Sequence, residues 1–308
     1  MFNLDVKRTM ADRDITEIDS LLQAVSSHDQ RKPLNDHLWL DLRQGGRSGF
    51  AGITARDAAS HAPLAYCQIS RGNDSWAIDL VVHPNSRDKI LLFGKSLMTE
   101  AINIIKSEGG GHVHWWVSDP STNHITLAKK MGFNTGRKLL QMRVALPLAE
   151  DVLAGGRQVE TRSFRVGIDD DAWITVNNRA FSEHPEQGGW TREILRSRQS
   201  EKWFDPRGLL LYFLPGSEQL AAFCWTKIDR EQDPRIGEIY VIAVDPSQHK
   251  KGLGRALTLA GLDHLAKSGA TTGLLYVDKD NLAAIGTYEK IGFATHSEEQ
   301  AFVADIGA

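Results

Sequence analysis

The chain repeats itself, and no other feature constrains its fold as much. Leu64-Ala65-Tyr66-Cys67 resembles Ala221-Ala222-Phe223-Cys224, each just past a polar turn. Downstream, Leu80-Val81-Val82-His83-Pro84 resembles Ile242-Ala243-Val244-Asp245-Pro246, and Lys129-Lys130-Met131-Gly132-Phe133 resembles Glu289-Lys290-Ile291-Gly292-Phe293. Three matches in one order, at a nearly constant offset of about 160 residues, mean two copies of one fold. Residues 147–160 separate them: Pro147, a short acidic stretch and Gly155-Gly156 have the chemistry of a linker, with one helical turn over 148–153 as the alternative. The expected boundary lies near residue 155, giving domains 1–154 and 155–308.

Each copy runs from a helix-rich segment through a hairpin and a long apolar strand to helix, strand and helix. In the second copy, residues 236–244 are a strand rich in β-branched residues, and Pro246 ends it. A helix starts near Gly252. Its Leu257, Gly261, Leu262 and Leu265 fall at helical spacing, and Gly269 stops it. Residues 273–277 read as another strand and 283–291 as a helix closed by Gly292. Strands followed by helices indicate a mixed α/β layer with helices on the sheet.

Composition removes several classes of function. Lys plus Arg number 36 and Asp plus Glu 39, so the net charge is −3 and no global field gathers polyanions. The eight tryptophans do not cluster with basic residues, so no platform for nucleic-acid bases is expected. No apolar run reaches the length of a membrane span, and the first twenty residues lack the apolar core of a signal peptide. Cys67 and Cys224 are far apart, each in an apolar run, and read as small core hydrophobes rather than a disulfide or zinc framework. A reduced, cytoplasmic protein is the expectation. His112 and His114 share a strand face, but no pattern of further ligands completes a metal site.

The segment His249-Lys250-Lys251-Gly252-Leu253-Gly254-Arg255 lies between a strand and a helix. Its glycines let backbone amides converge, and the helix N-terminus adds partial positive charge, which together suit a pyrophosphate. A Walker loop requires Gly-Lys-Ser/Thr, which is absent. A dinucleotide fingerprint fails too: seven residues separate the strand from Gly252, Leu257 replaces the third glycine, and no acid follows near Leu274. A ligand-free turn that merely starts a helix is the alternative on these residues alone.

With Asn281, Ala284, Tyr288, Lys290, Gly292 and Phe293 downstream, the strand ending Val-Asp-Pro and the Gly-x-Gly loop resemble the GNAT superfamily of acetyl-CoA-dependent N-acetyltransferases. His249 stands where that family has Gln or Arg, which matters little because backbone amides carry the site. The resemblance implies two tandem GNAT-type domains, each a mixed, mostly antiparallel sheet flanked by helices, with acetyl-CoA as cosubstrate and no metal. It implies pyrophosphate contacts at His249, Lys250, Lys251, Gly252, Leu253, Gly254 and Arg255. Along Ile242, Ala243 and Val244 the strand would pair with the pantetheine arm as if with an added strand. Asn281, Leu282, Ala283, Ala284, Ile285 and Gly286 would flank the cofactor's other side. Leu80, Val81 and Val82, the corresponding strand positions of the first copy, are implied as further acetyl-CoA contacts.

Acetyl transfer from a thioester to an amine needs a free amine and a departing thiolate. An ammonium cannot attack, so a base must take its proton, directly or through water. Glu238 is the candidate, in an apolar strand on the face expected to carry Tyr240, Ile242 and Val244, where burial would raise its pKa toward neutrality. A strand-end carboxylate in a salt bridge reads equally well from the residues, and the family position favours catalysis. Tyr288 is the candidate acid; a core tyrosine is the alternative, and the family places a tyrosine there. Aligned at Val82, the first copy has Ile90 and Leu92 for the two glycines, Trp76 for Glu238 and Ala128 for Tyr288, so it is expected to be catalytically silent.

A closer likeness spans the whole chain. His184-Pro185-Glu186-Gln187-Gly188-Gly189-Trp190-Thr191, Trp225-Thr226-Lys227 and Glu238-Ile239-Tyr240-Val241 resemble the mycothiol acetyltransferase family. That resemblance implies acetylation of the cysteinyl amine of desacetylmycothiol, with substrate contacts at Asp36, Glu186, Lys227, Glu238 and Tyr276. Asp36 departs from the family's usual glutamate. Two other readings stay open at this point: a tandem GNAT enzyme acting on another small amine such as an aminoglycoside or polyamine, and a non-catalytic CoA-binding module. A monomer is expected, since two fused copies can bury a shared interface.

Overall fold

Twelve strands and nine helices form among the residues described by the computed structural model, which are all but 30, 35, 73–74, 184–186 and 229–233; the side chains of Asp36 and His37 are likewise outside the description. In chain order they are β1 (Phe2–Lys7), α1 (Asp12–Asp29), α2 (Asp36–Arg43), β2 (Phe50–Asp57), β3 (Pro63–Arg71), β4 (Ser75–Val82), α3 (Ile90–Ser107), β5 (Gly111–Ser118), α4 (Thr122–Lys130) and β6 (Asn134–Ala145). There follow α5 (Glu150–Ala154), β7 (Arg162–Ser163), α6 (Asp170–Ala180), α7 (Arg192–Gln199), β8 (Leu209–Phe213), β9 (Leu220–Ile228) and β10 (Ile236–Val244). The last four are α8 (Leu253–Lys267), β11 (Thr272–Asp278), α9 (Leu282–Glu289) and β12 (Ala294–Ile306).

The chain divides into two compact units, Met1–Lys138 with Glu298–Ala308, and Leu139–Ser297. Strands of the first run in the order β1-β2-β3-β4-β5-β12, and those of the second β6-β11-β10-β9-β8-β7. In each, one neighbouring pair is parallel, β4 with β5 and β10 with β11, and the rest are antiparallel. These are the mixed, mostly antiparallel sheets flanked by helices that the resemblance implies.

The break expected near residue 155 does not coincide with this division, because the closing strands are exchanged. Residues 139–145 of β6 pair with β11, and residues 299–306 of β12 pair with β5. Without them β5 and β11 would each present a bare edge. The segment with linker composition forms α5, and its Leu148, Val152, Leu153 and Val159 pack on the core of the second unit.

Two cores sandwich the second sheet. On one face, Leu257, Leu262 and Leu265 of α8 pack with Cys224, Ile239 and Leu275. On the other, Trp173 of α6 packs edge-on to Trp190 and Trp225, with ring centroids 5.3 and 5.4 Å away. Such aromatic contacts contribute about 0.5–1.5 kcal/mol each beyond burial. Cys67 and Cys224 are fully buried free thiols, and burial pushes that of Cys224 up to about 12. Among the described residues no helix is long and apolar enough to cross a membrane.

The approach of α8 to β9 depends on Gly261, where a Cβ would stand 2.5 Å from the Cys224 Sγ atom. Gly261→Ala is therefore expected to destabilise by about 1–3 kcal/mol, read as a lowered denaturant midpoint. Gly286→Ala, helical and with open space at its Cβ, should be neutral or stabilising by up to about 1 kcal/mol. Equal shifts for the two would show that α8 can back away from the sheet.

Candidate active site

The parallel strands β10 and β11 stay together only briefly. Their register runs from Ile236–Thr272 to Ile239–Leu275 and stops, although β10 continues to Val244 and β11 to Asp278. On its other side β10 remains paired with β9 as far as Val244, with a bulge at Tyr240 between the Ile239–Thr226 and Val241–Trp225 pairs. Beyond Ile239, then, the edge of β10 that faced β11 has no strand partner among the described residues. Ile242, Ala243 and Val244 lie along that edge, which is where an extended ligand could restore the ladder.

The bulge also decides which side chains share a face. A regular strand would put Glu238 with Ile242 and Val244, as expected from the sequence. Instead, Ile239, Ile242 and Val244 pack on the α8 side, while Tyr240, Val241 and Ala243 pack on the α6 side. Two residues, Tyr240 and Val241, occupy one interval of the ladder, so the alternation changes phase there. Glu238 belongs to the α6 face.

On that face three of the expected substrate residues come together on adjacent strands. Lys227 of β9 lies directly across from Glu238, and Glu238 lies beside Leu274 of β11, two residues before Tyr276. Tyr276 is 41% exposed. The Lys227 Nζ atom stands 5.1 Å from the Trp203 ring and 5.9 Å from the Tyr240 ring, and those two rings meet edge to face at 5.0 Å. Burial pushes the Tyr240 phenol above its ordinary pKa, with Arg198 and Lys227 acting against that and Glu238 and Glu201 with it. Trp203, Arg198 and Glu201 carry no signal in the sequence, because they lie in and just after α7, outside the motif.

The glycine loop follows β10. Asp245 is fully buried and caps the short 3-10 turn Pro246–Gln248: its Oδ1 accepts from the Ser247 amide at 2.9 Å and hydroxyl at 2.6 Å. Burial works against its charge, but these bonds and the Arg179 guanidinium, 3.1 Å from Oδ2, hold the carboxyl below its ordinary pKa. Lys250 and Gly252 then adopt the left-handed conformation, with φ of 62° and 76°. Such a conformation costs a residue with a side chain about 1–3 kcal/mol, so Lys250 stores strain here. Among the described residues, the amides of Lys250, Lys251, Gly252, Leu253, Gly254 and Arg255 have no acceptor within the chain. A Cβ on Gly252 or Gly254 would meet nothing within 4 Å, so the space before the helix is open. Converging amides at the start of a fifteen-residue helix fit a pyrophosphate. His249 does not reach outward from this loop; its ring meets the Val244 carbonyl at 3.0 Å.

Asn281 caps α9 by accepting from the Ala284 amide at 3.1 Å, which fixes where Leu282, Ala283, Ile285 and Gly286 begin their turn. Tyr288, on the same helix, packs with the α8-side core and against Phe293 at 5.7 Å. Burial pushes its phenol up to about 12, with Cys224 adding to the effect. Glu238 and Tyr288 thus approach from opposite faces of the sheet, and the parting of β10 from β11 is the opening between those faces.

Glu186 lies outside the described residues, but its neighbours are anchored. Asn177, fully buried on α6, donates to the Gln187 carbonyl at 2.9 Å and accepts from the Gln187 amide side chain at 3.1 Å. Asn178 clamps Trp190 at both backbone N and O, at 2.8 and 2.9 Å. Asp36 opens α2 of the first unit, and its side chain is not described.

The first unit has a different loop. Its 3-10 turn, Pro84–Lys89, runs straight into α3, with no left-handed residue between. There β3 and β4 pair without a register shift, and Ser70, the counterpart of Lys227, opposes Ala77. The counterpart of Glu238 is therefore Ala77 rather than Trp76, since the bulge adds one residue to β10. The strands β4 and β5 part as well, after Ile78–Trp115, which leaves Leu80, Val81 and Val82 beyond the parallel pairing.

The model of the acetyltransferase (GNAT) family matches residues 173–293. Among solved structures, a GCN5-related N-acetyltransferase from Sphaerobacter thermophilus superposes with a TM-score of 0.73 at 19% identity, covering 99% of this chain and 96% of its own. A tandem GNAT protein from the clavulanic acid biosynthesis pathway gives the same score at 16% identity, with 99% of both chains covered. These agree in fold. Among curated relatives, the mycothiol acetyltransferase of Thermobispora bispora is 39% identical over 94% of this chain and 95% of its own, and that of Mycobacterium marinum 34% over 95% and 94%. Likeness of that extent, through both copies and not the loop-bearing one alone, makes this chain a member of the mycothiol acetyltransferase family.

Proposed function

We propose that the chain transfers the acetyl group of acetyl-CoA to the cysteinyl amine of desacetylmycothiol, with the chemistry confined to the second unit. The observation that carries this reading is the shared face of Lys227, Glu238 and Tyr276 beside the parted strands, with open amides at the start of α8 next to it. The amides of Lys250 through Arg255 hold the pyrophosphate, and the free edge of Ile242, Ala243 and Val244 holds the extended arm. Bound acetyl-CoA supplies the activated acyl group; the protein's own groups align it and manage protons.

Glu238 takes the proton that the ammonium must lose before attack. An α-amine has an ordinary pKa near 8, so a modest base is enough. The new C–N bond forms as the C–S bond breaks, and the electron pair leaves with sulfur. A phenol held at about 12 cannot fully protonate a thiolate whose ordinary pKa is near 8.5. Tyr288 therefore acts by donating a hydrogen bond to the developing charge, and the sulfur departs largely as thiolate. Lys227, held beside two aromatic rings, and Tyr276 orient the amine's polar remainder, with Glu186 as a further substrate position. With Ala77 for the base and no glycine loop, the first unit is catalytically silent.

The direct test is mass spectrometry of the purified protein with acetyl-CoA and desacetylmycothiol, with a polyamine and an aminoglycoside in competition. Selective acetylation of the cysteinyl amine is expected; preference for a competitor would sink the substrate assignment, and no product would favour a binding module. Glu238→Gln should lower kcat by about 10²–10⁴-fold with little change in KM for acetyl-CoA. Unchanged turnover would remove Glu238 from the chemistry. Gly252→Val, forced into a left-handed backbone that a β-branched residue resists, should raise KM for acetyl-CoA while leaving kcat nearly intact.

The pH profile follows from the raised phenol. Activity should climb as the amine loses its proton and then hold its plateau to pH 10, because Tyr288 keeps its proton until about 12. A descending limb below pH 10 that Tyr288→Phe abolishes would contradict a buried phenol.

A further inference from the structure

The strand β6 carries a polar pair that no motif includes. Gln141 is 8% exposed and lies directly across from Tyr276 in the antiparallel β6–β11 register; Arg143 lies across from Leu274. The Arg143 Nε atom donates to Gln141 Oε1 at 2.8 Å, and Gln141 Nε2 donates to the Tyr276 hydroxyl at 2.7 Å. The order of these bonds has one direction only. A guanidinium has donors and no acceptor, so the amide oxygen of Gln141 must face Arg143 and its NH₂ must face Tyr276. The phenolic oxygen then accepts from Gln141, so the phenol's single proton is not spent on Gln141. Burial lowers the pKa of Arg143, with Tyr276 acting against that.

We infer that Arg143 and Gln141 are positioning residues that fix Tyr276 as a hydrogen-bond donor to the amine substrate. The site accordingly selects an amine whose remainder presents an acceptor oxygen, such as an amide carbonyl or a sugar hydroxyl, and disfavours a polyamine, whose second ammonium can only donate. The equivalent positions of the first unit carry Trp116 opposite Ala301, so that unit has no such relay. The identity of the substrate rests on the proposed function; the direction of the relay rests on the bonds alone.

The experiment reverses the relay. In Gln141→Glu, Arg143 and Tyr276 both donate to the carboxylate, and the phenolic proton turns inward. KM for desacetylmycothiol should rise about tenfold, the value of roughly 1.4 kcal/mol for one hydrogen bond lost at a polar group, with KM for acetyl-CoA unchanged. Tyr276→Phe should match it, and the double variant should be no worse than Tyr276→Phe. Additive losses, or a Gln141→Glu protein that behaves as the parent, would overturn the inference. Should the buried carboxylate prevent folding, Arg143→Lys and Arg143→Met decide instead. Lysine also only donates and should keep KM, methionine frees the amide to turn and should raise it, and equal behaviour of the two would overturn the relay. A readout without substrate separates this from the functional reading: with ¹³C-labelled tyrosine, assigned through Tyr276→Phe, the Tyr276 titration should move upward in Gln141→Glu or, if that does not fold, in Arg143→Met. If it moves but desacetylmycothiol is not acetylated, the relay stands and the substrate assignment fails. A titration that does not move overturns the relay whatever the substrate.

Discussion

A parallel pair that separates after four residues is the constraint on which the second unit turns. Ile239 and Leu275 are the last partners, and the bulge at Tyr240 falls at once after them. A bulge bends its strand and raises the local twist, which draws β10 away from β11 while β9 follows it. Backbone groups along the abandoned edge lose ladder bonds worth about 0.5–1.5 kcal/mol each net. An extended ligand could return them, so the same distortion that weakens the empty sheet opens an edge such a ligand can fill. The phase change then carries Glu238 to the α6 face, opposite Lys227, where a regular strand would have turned it to the α8 side. One extra residue sets the parting of the strands and the face of Glu238 together.

The glycine loop uses rigidity in a similar way. Its Lys250 sits in a conformation that costs a side-chain-bearing residue energy, and among the described residues the amides of Lys250 through Arg255 meet no acceptor. Both are tolerable because the ends are fixed. Asp245 is locked by Ser247 and Arg179 at one end, and α8 is held at the other by Leu257, Leu262 and Leu265 and by the close approach at Gly261. An anion arriving there meets donors already oriented, and little ordering remains to offset the gain.

Much of this was legible in the sequence. The strand over 236–244, the helix after Gly252 and the helix closed by Gly292 are readable because hydrophobic period and glycine placement are local signals. The repeat gave the duplicated fold, and the three matched segments lie in equivalent elements. What the sequence concealed is non-local. The bulge leaves no mark in a run of β-branched residues, so the sequence groups Glu238 with Ile242 and Val244 as well as Tyr240, and points to Trp76 instead of Ala77 as its counterpart. Gln141 and Arg143 carry no motif; their meaning comes only from register with Tyr276, a partner far along the chain. The anchoring of Gln187 and Trp190 by Asn177 and Asn178 is hidden for the same reason.

The exchange of closing strands connects these misses. Residues 147–160 have the composition of a linker, and a reader of the sequence cuts there. Yet the residues that pair with β11 come from before that segment, so the second unit's sheet is finished by chain that reads as part of the first copy. Duplication ordinarily leaves each copy free to change alone, but here the strand adjoining Tyr276 is encoded at the end of the copy that lacks the glycine loop. Val144, Met142 and Leu140 on β6 are tied to the core of the second unit, and Gln141 and Arg143, alternating with them, are tied to its polar face.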